Sequence, residues 1–161
     1  MNGKNTTTST QYLTFTLGSE VFAVDIAKIR EVLEYSSVTK VPRTPNFMCG
    51  VINLRGSVVP VVDMRLKFNM GQSKKSVNTC IIILEIAQDD GVVVMGALVD
   101  SVREVMELEP DQVEPPPKIG MRLRTEFLKG MGKQDGRFIM ILDIDKIFSV
   151  EELSAVQNAA G

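Results

Sequence analysis

The chain has 161 residues, of which 44% are hydrophobic and 24% charged, a composition that is ordinary for a globular protein. Its formal net charge of −2 is spread along the chain, so the basic face that nucleic-acid binding needs is not expected. There is no histidine, which removes the commonest general base and metal ligand, and no apolar run approaches the ~18 residues of a membrane span.

The first elements are predicted to be a tail and two strands. Residues 1–10 are polar and rich in threonine, and they lack an apolar signal core, so we expect a flexible tail on a cytoplasmic protein. Residues 12–17 nearly alternate between apolar and polar side chains, which predicts a strand. The turn Gly18-Ser19 then leads into a return strand at 21–24.

A short run with helical spacing follows the second strand. Its apolar residues lie on one face of a helix: Ile26, Ile29, Val32 and Leu33. Asp25 is a suitable N-cap, but the run is too short to be a free-standing helix. We expect one or two turns that continue into a strand through residues 33–35.

The central stretch, residues 47–68, is predicted to be a β-hairpin. Two apolar arms flank a tight turn at Arg55-Gly56, and Asp63 is placed to cap a short helix. Residues 127–148 repeat this stretch at the same length. The matching pairs are Phe47/Phe127, Gly50/Gly130, Gly56/Gly136, Asp63/Asp143 and Phe68/Phe148. An internal repeat constrains a fold more than any single motif does.

The second half of the chain follows the order of the first. Residues 80–84 form a continuous apolar run that predicts a strand covered on both faces. The remaining elements are predicted to be a turn at 89–91, a return strand at 92–99, a proline-rich loop at 110–120, a hairpin turning at Asp135-Gly136, a short helix at 143–148 and an amphipathic helix at 151–160.

The repeat predicts an all-β fold with short helices, built as two small antiparallel barrels or rolled sheets. The segments REVLE at 30–34 and REVME at 103–107 extend the repeat beyond the hairpins. A lobe of roughly 60–70 residues is marginally stable alone, so the lobes are expected to share a core. A single sandwich is the alternative.

No catalytic constellation is found in the sequence, and the protein is predicted not to be an enzyme. Glycines 130, 132 and 136 have the spacing GxGxxxG rather than the dinucleotide fingerprint, and they lie inside a hairpin. Cys49 and Cys80 are interpreted as small buried hydrophobes, not as a metal pair. No cofactor or metal is predicted, while a carboxylate dyad remains the open enzymatic alternative.

Arg55 is the first candidate functional residue. It aligns with Asp135 of the second hairpin, at a turn position that demands positive φ, where arginine is a poor choice. Something other than turn chemistry therefore favours it. Its guanidinium either pins a neighbouring segment or partner by charge-assisted hydrogen bonds, or is a solvated loop side chain.

A set of apolar residues occupies equivalent places in the two halves: Ile29, Val32, Leu33, Val102 and Val105. These residues are either core or the rim of a cleft between duplicated lobes. An apolar rim would suit an amphipathic partner helix or a small molecule.

Four segments closely resemble the CheW family of bacterial chemotaxis coupling proteins: FAVDIAKIREVLEY, VTKVPRTPNFMCGVINLRGSVVPVVDMRLKF, GALVDSVREV and GRFIMILDIDKIF. The resemblance implies a CheW-like domain at 11–150 made of two interleaved β-barrel lobes, one centred on 47–68 and the other on 78–148, and a helix or tail at 151–161. The implied fold is two five-stranded SH3-like β-barrels on a shared hydrophobic core.

The resemblance also implies a non-catalytic adaptor that couples the cytoplasmic tips of methyl-accepting chemoreceptors to the regulatory domain of the histidine kinase CheA. Such a protein is recruited to membrane-associated receptor arrays without entering the membrane. Adaptors of non-flagellar chemosensory pathways are similar and remain an alternative.

Family motifs carry specific roles onto this sequence. The residues implied for the receptor-binding groove are Ile29, Glu31, Leu33, Arg55, Gly96, Val102 and Val105. Within this set, Glu31 and Arg55 are predicted to form an ion pair. The residues implied for a kinase-binding, ring-forming edge are Glu114, Pro116 and Ile119.

Overall fold

A computed structural model describes residues 9–72, 74–88, 91–116 and 125–160. The first repeat contributes β1 (Thr10–Leu17), β2 (Glu20–Asp25), β3 (Ile29–Glu34), β4 (Met48–Leu54), β5 (Ser57–Asp63) and α1 (Met64–Lys67). The second contributes β6 (Cys80–Gln88), β7 (Gly91–Val99), β8 (Ser101–Leu108), β9 (Leu128–Gln134) and β10 (Arg137–Leu142), followed by α2 (Val150–Ala160). Short 3₁₀ turns occur at Ile26–Lys28, Pro110–Gln112, Thr125–Phe127 and Ile144–Lys146.

The ten strands form two five-stranded sheets, which confirms the predicted fold class. One sheet has the order β8-β1-β2-β10-β9 and is called the terminal sheet, because it holds the strands nearest both chain ends. The other has the order β3-β6-β7-β5-β4 and is called the middle sheet. Each sheet contains one parallel pair, β2 with β10 and β5 with β7.

The two repeats exchange strands. Each repeat places its first two strands in one sheet and its next three strands in the other. Within residues 78–148, β6 and β7 therefore lie in the middle sheet, where β6 pairs with β3 and β7 pairs with β5, whereas β8, β9 and β10 lie in the terminal sheet. The repeat alone does not show this, since strand pairing depends on contacts between residues far apart in the chain.

Three apolar clusters account for the core. One lies within the terminal sheet and includes Ile139 and Ile141, and one lies within the middle sheet and includes Ile81 and Ile83. The third and largest, called the shared core, takes side chains from both sheets. Alternate residues of β6 point to different clusters, which explains why its apolar run is continuous.

The short helical predictions have mixed outcomes. Asp63 caps α1 as predicted, since its Oδ1 accepts hydrogen bonds from the backbone N–H groups of Arg65 (2.9 Å) and Leu66 (3.3 Å). Asp25 likewise accepts from Ala27 N–H, but the helical turn it starts ends at Lys28.

One helical turn leads into a strand, as predicted, but β3 begins at Ile29, earlier than the predicted strand through residues 33–35. Residues 29–34 alternate between half-buried and exposed, the pattern of a strand on β6. The apolar spacing of a short run fits both a helix and a strand. Here the pairing of this segment with β6 selects the strand. Asp89 and Asp90 of the predicted turn, and residues 117–120 of the proline-rich loop, lie outside the described residues.

Candidate functional site

The turn between β4 and β5 holds an arginine in an unfavourable backbone conformation. Arg55 has φ 51° and Gly56 has φ 88°, so both central residues adopt the left-handed conformation of a type I′ hairpin turn. Asp135 (φ 53°) and Gly136 (φ 78°) do the same in the second hairpin. Aspartate and glycine tolerate this conformation well, whereas arginine does not, so the turn itself does not explain Arg55.

Arg55 forms the predicted ion pair with Glu31, in bidentate geometry. Its Nη1 donates to Glu31 Oε2 at 2.6 Å, and its Nη2 donates to Oε1 at 2.9 Å. These hydrogen bonds lower the pKa of Glu31 and raise that of Arg55. The Arg55 side chain is 71% exposed and that of Glu31 25%, so the pair lies at the surface with the guanidinium outermost.

The pair also connects the two edges of the middle sheet. Glu31 lies on the edge strand β3, whereas Arg55 follows the opposite edge strand β4. The segment that follows β3 also reaches β4, because the backbones of Thr39 and Val51 exchange two hydrogen bonds of 2.9 and 2.8 Å. The sheet therefore curls until its edges meet, and the ion pair is part of that closure.

Glycine is required beside this closure. A Cβ on Gly50 would lie 2.1 Å from the carbonyl oxygen of Thr39, and the φ of Gly50 is +147°. The matching Gly130 stands beside the matching closure of the terminal sheet, where a Cβ would lie 2.7 Å from Glu114 O. There the backbones of Glu114 and Met131 exchange hydrogen bonds of 2.9 and 2.7 Å.

The residues of the predicted kinase edge have different positions. Glu114 has an exposed side chain while its backbone closes the terminal sheet. Pro116 is half-buried, and Ile119 lies outside the described residues. The proline-rich loop therefore begins as a structural part of the second barrel-like closure.

The apolar groove candidates lie on two different edge strands. Ile29 on β3 and Val102 on β8 are half-buried and pack against the shared core. Leu33 is half-buried against the cluster within the middle sheet. Val105 is 53% exposed, and Val32, its counterpart in the repeat, is 40% exposed. β3 and β8 thus present one exposed valine each, on separate sheets.

Gly96 differs from the expectation. It is buried in β7, where a Cβ would lie 2.7 Å from Ile81 Cγ2 and 3.4 Å from Val61 Cγ2. It therefore allows close packing inside the middle sheet and does not line an open groove. The parallel pairing of β5 with β7 brings Val61 opposite Gly96, and local sequence pattern does not reveal that pairing.

A surface depression of about 360 Å³ lies beside the ion pair. Glu31 and Arg55 form part of its wall, and the sequence analysis did not assign the residues that complete it: Arg30, Leu54, Ser57, Val58, Val59 and Val94. Val58 is 49% exposed. The first two residues of β5, next to the turn, are exposed and the next five are buried, and the continuous apolar sequence of this strand does not reveal that change.

The two cysteines are free and half-buried, which is more exposed than expected. Burial is the main cause that raises the pKa of the Cys49 thiol to about 11, so this thiol is protonated near neutral pH. Within the described residues, no three His, Cys, Asp or Glu side chains are grouped to hold a metal. In that part of the chain, no helix has the length and apolarity needed to cross a membrane.

Two five-stranded sheets on a shared core, with exposed valines and an ion pair at their edges, are typical of a scaffold that binds other proteins. The family model of the CheW-like domain matches residues 11–152. The chain belongs to the CheW-like domain family.

Relatives support this assignment along almost the whole chain. A chemotaxis protein CheW of Klebsiella aerogenes is 39% identical over 154 residues, covering 96% of this chain and 90% of the relative. A chemotaxis protein CheW of Thermotoga maritima is 34% identical over 151 residues, covering 92% of each. The crystal structure of the scaffolding protein TtCheW from Thermoanaerobacter tengcongensis matches with a TM-score of 0.80 at 35% identity, covering 90% of this chain and 91% of that one.

Proposed function

We propose that this protein is the adaptor that couples chemoreceptor tips to the histidine kinase CheA in bacterial chemotaxis, at membrane-associated receptor arrays. The observation that carries the proposal is Arg55, an exposed arginine held in a left-handed turn and fixed by two hydrogen bonds to Glu31. A costly backbone conformation combined with an ordered, exposed guanidinium is typical of a binding surface.

The receptor-binding surface in this proposal includes the two edge strands β3 and β8. Ile29, Val32, Val102 and Val105 supply apolar contact area for an amphipathic helix, and the Glu31–Arg55 pair supplies orientation. Gly96 is omitted from this surface because it is buried.

The kinase-binding edge in this proposal is the start of the proline-rich loop. The side chain of Glu114 is exposed while its backbone is fixed by Met131, so the residue is held in place before any partner binds. Pro116 further limits the conformations of the segment, which lowers the entropy lost on binding.

The experiment compares coupling by Arg55→Asn with wild type. Asparagine tolerates positive φ, so the turn is kept while the guanidinium is lost. Receptor cytoplasmic fragments, CheA and the adaptor are mixed, and kinase activity is measured. Wild type should raise the activity only in the ternary mixture, and Arg55→Asn should lose most of this increase.

Arg137→Ala is the matched control, because Arg137 follows the equivalent turn of the other sheet and its Nη2 donates a hydrogen bond to Ser19 O at 2.9 Å. It should couple as wild type does. Normal coupling by Arg55→Asn would overturn the role of Arg55. Binding of neither receptor nor kinase, together with thermal shifts in a metabolite screen, would instead favour a small-molecule-binding module.

A further inference from the structure

Lys67, the last residue of α1, is enclosed by aromatic rings. Its side chain is only 10% exposed, although lysine is rarely buried. The Nζ atom lies 5.7 Å from the ring centre of Phe47, 5.1 Å from that of Phe127 and 5.5 Å from that of Phe148. The faces of such rings attract a cation, so these three rings form a cage for the ammonium group.

The fourth partner of the ammonium comes from α2. Lys67 Nζ lies 3.5 Å from Glu152 Oε2 in the first turn of this helix. Glu152 also completes a capping box with Ser149: its Oε1 accepts from Ser149 N–H at 2.8 Å, and its own N–H donates to Ser149 Oγ at 3.0 Å. The Glu152 carboxylate therefore makes two contacts. One oxygen takes part in the N-terminal cap of α2, and the other lies beside the Lys67 ammonium in the cage.

The two repeats differ at this position. Lys67 corresponds to Ile147, which is 1% exposed in the shared core. Only the second repeat is followed by a helix of α2's length; residues 69–72 after α1 form none. Lys67 thus lies where it can contact α2. Its charge is explained by the contact with that helix and not by the repeated fold.

Among the described side chains of α2, three apolar ones pack on the shared core. Leu153 and Val156 are buried in the shared core and Ala159 packs at its border, whereas Val150 is 78% exposed. An isolated helix of eleven residues is unstable in water, so α2 depends on this docking. Elements with few buried contacts open locally before the rest of a protein unfolds.

We propose that α2 detaches from the shared core and docks on it again, and that Lys67 is the residue that holds the helix docked. We call α2 the strap and Lys67 its latch. Gln157 of α2 also lines a surface groove together with Val58, Pro60 and Val92. If α2 opened, this groove would extend into the space that the side chains of Leu153 and Val156 fill when the helix is docked. The strap therefore controls how much apolar surface the middle sheet presents.

The test is amide hydrogen exchange of the full chain, followed by mass spectrometry of the 154–160 peptide. Lys67→Met keeps the apolar stem and removes the charge, whereas Glu152→Gln keeps the cap acceptor and removes the charge. Each should increase opening of α2 about tenfold, the effect of losing a desolvated cation and its partners. The double variant should open no more than either single variant, because both remove the same contact.

Two control variants separate the latch from general effects of charge. Glu151→Gln removes the neighbouring first-turn acid, which has an exposed side chain, and Lys146→Met removes a lysine that is 69% exposed. Both should leave exchange within about twofold of wild type. The urea midpoint of Lys67→Met should stay near wild type, since an apolar residue occupies the equivalent position at Ile147.

Unchanged exchange in both latch variants would overturn the proposal, as would effects that multiply in the double variant. If Lys67→Met does not fold, two other measurements decide the question: α2 exchange in Glu152→Gln, and α2 exchange of the wild type at 1 M salt. Exchange should increase in both, because only an electrostatic latch responds to the loss of the charge and to salt. The proposal is independent of the adaptor function, since none of these measurements uses receptor or kinase.

Discussion

At the residue scale, a few positions hold the fold and the site in place because no other side chain fits there. Gly50 has no side chain, so the segment around Thr39 can pair with β4. Arg55 lies in a turn with an unfavourable positive φ, and its side chain forms hydrogen bonds with Glu31. Arg55 stood out in the sequence because arginine is out of place in a turn that needs positive φ, whereas its pairing with Glu31 was predicted from the resemblance to the CheW family. The burial of Gly96 could not be foreseen, because it follows from a parallel strand pair formed between distant segments.

Gly50→Ala should be among the most destabilising single substitutions. The new methyl group would overlap the backbone at Thr39, and alanine is strained at φ +147°, so we expect a loss of about 3 kcal/mol or more in the free energy of unfolding. Urea denaturation measures the loss. Gly71→Ala is the control, since it also has positive φ (+85°) but has no atom within 4 Å of the added Cβ. It should cost about 1 kcal/mol. Equal losses would show that the close approach at Gly50 is unimportant.

At the element scale, local signals predicted the hairpins, the Asp63 cap and the C-terminal helix, because each depends on residues adjacent in sequence. β3 was misread because its apolar spacing fits a helix, and only its hydrogen bonds to β6 resolve the ambiguity. The repeat by itself also does not show the exchange of strands between its two copies. The local sequence signals of the two repeats are the same whether their strands pair within one repeat or between the two repeats.

Asp63 and Asp143 are equivalent in the repeat but make different contacts. Asp63 is 1% exposed and accepts two backbone hydrogen bonds at the start of α1, whereas Asp143 makes no such side-chain cap. Asp63→Ala should therefore cost about 1–2 kcal/mol of unfolding free energy, and Asp143→Ala about 0.5 kcal/mol. Chemical denaturation of both variants checks this order. A larger loss for Asp143→Ala would contradict the capping argument.

At the scale of the whole molecule, two ionic contacts fix one sheet against the other. Asp145, beyond β10, lies 2.6 Å from Lys28 Nζ and accepts a hydrogen bond from Ala87 N–H of β6 at 2.8 Å. Asp100 accepts from Gly18 N–H at 2.6 Å and lies 3.1 Å from Arg65 Nη1. Arg65 and Asp145 are equivalent in the repeat, so the two contacts are related by the repeat but opposite in charge.

These contacts predict a loss of stability in acid. Burial alone would raise the pKa of Asp145, but the hydrogen bonds from Lys28 and Ala87, with the charges of Lys28 and Lys129, lower it below its ordinary value of 3.8. A lowered pKa means that this stabilisation is complete above pH 3.8 and is lost as the pH falls through the folded-state value. The contribution of such a partly exposed pair is about 0.5–1 kcal/mol.

Asp145→Asn should remove that contribution. Its unfolding free energy should be lower than that of wild type at pH 7. The difference should shrink at pH 3, because below pH 3.8 the unfolded wild-type chain takes up a proton that the folded carboxylate, with its lowered pKa, binds less readily. Urea titrations of both proteins at the two pH values measure the difference. Glu151→Gln serves as the control, since Glu151 is an exposed acid of the chain's last helix. A constant gap between wild type and Asp145→Asn across this range would contradict the assigned role.

The strand exchange has a consequence for the order in which the protein is made. The middle sheet has all its strands once Val99 has left the ribosome, whereas the terminal sheet waits until Leu142. During that interval the hairpin of β1 and β2, made first, carries Phe15 and Phe22 without the strands that finally flank it. This hairpin is thus synthesised before the other strands but is among the last elements to gain its partners, and it is the segment that a chaperone would most usefully shield.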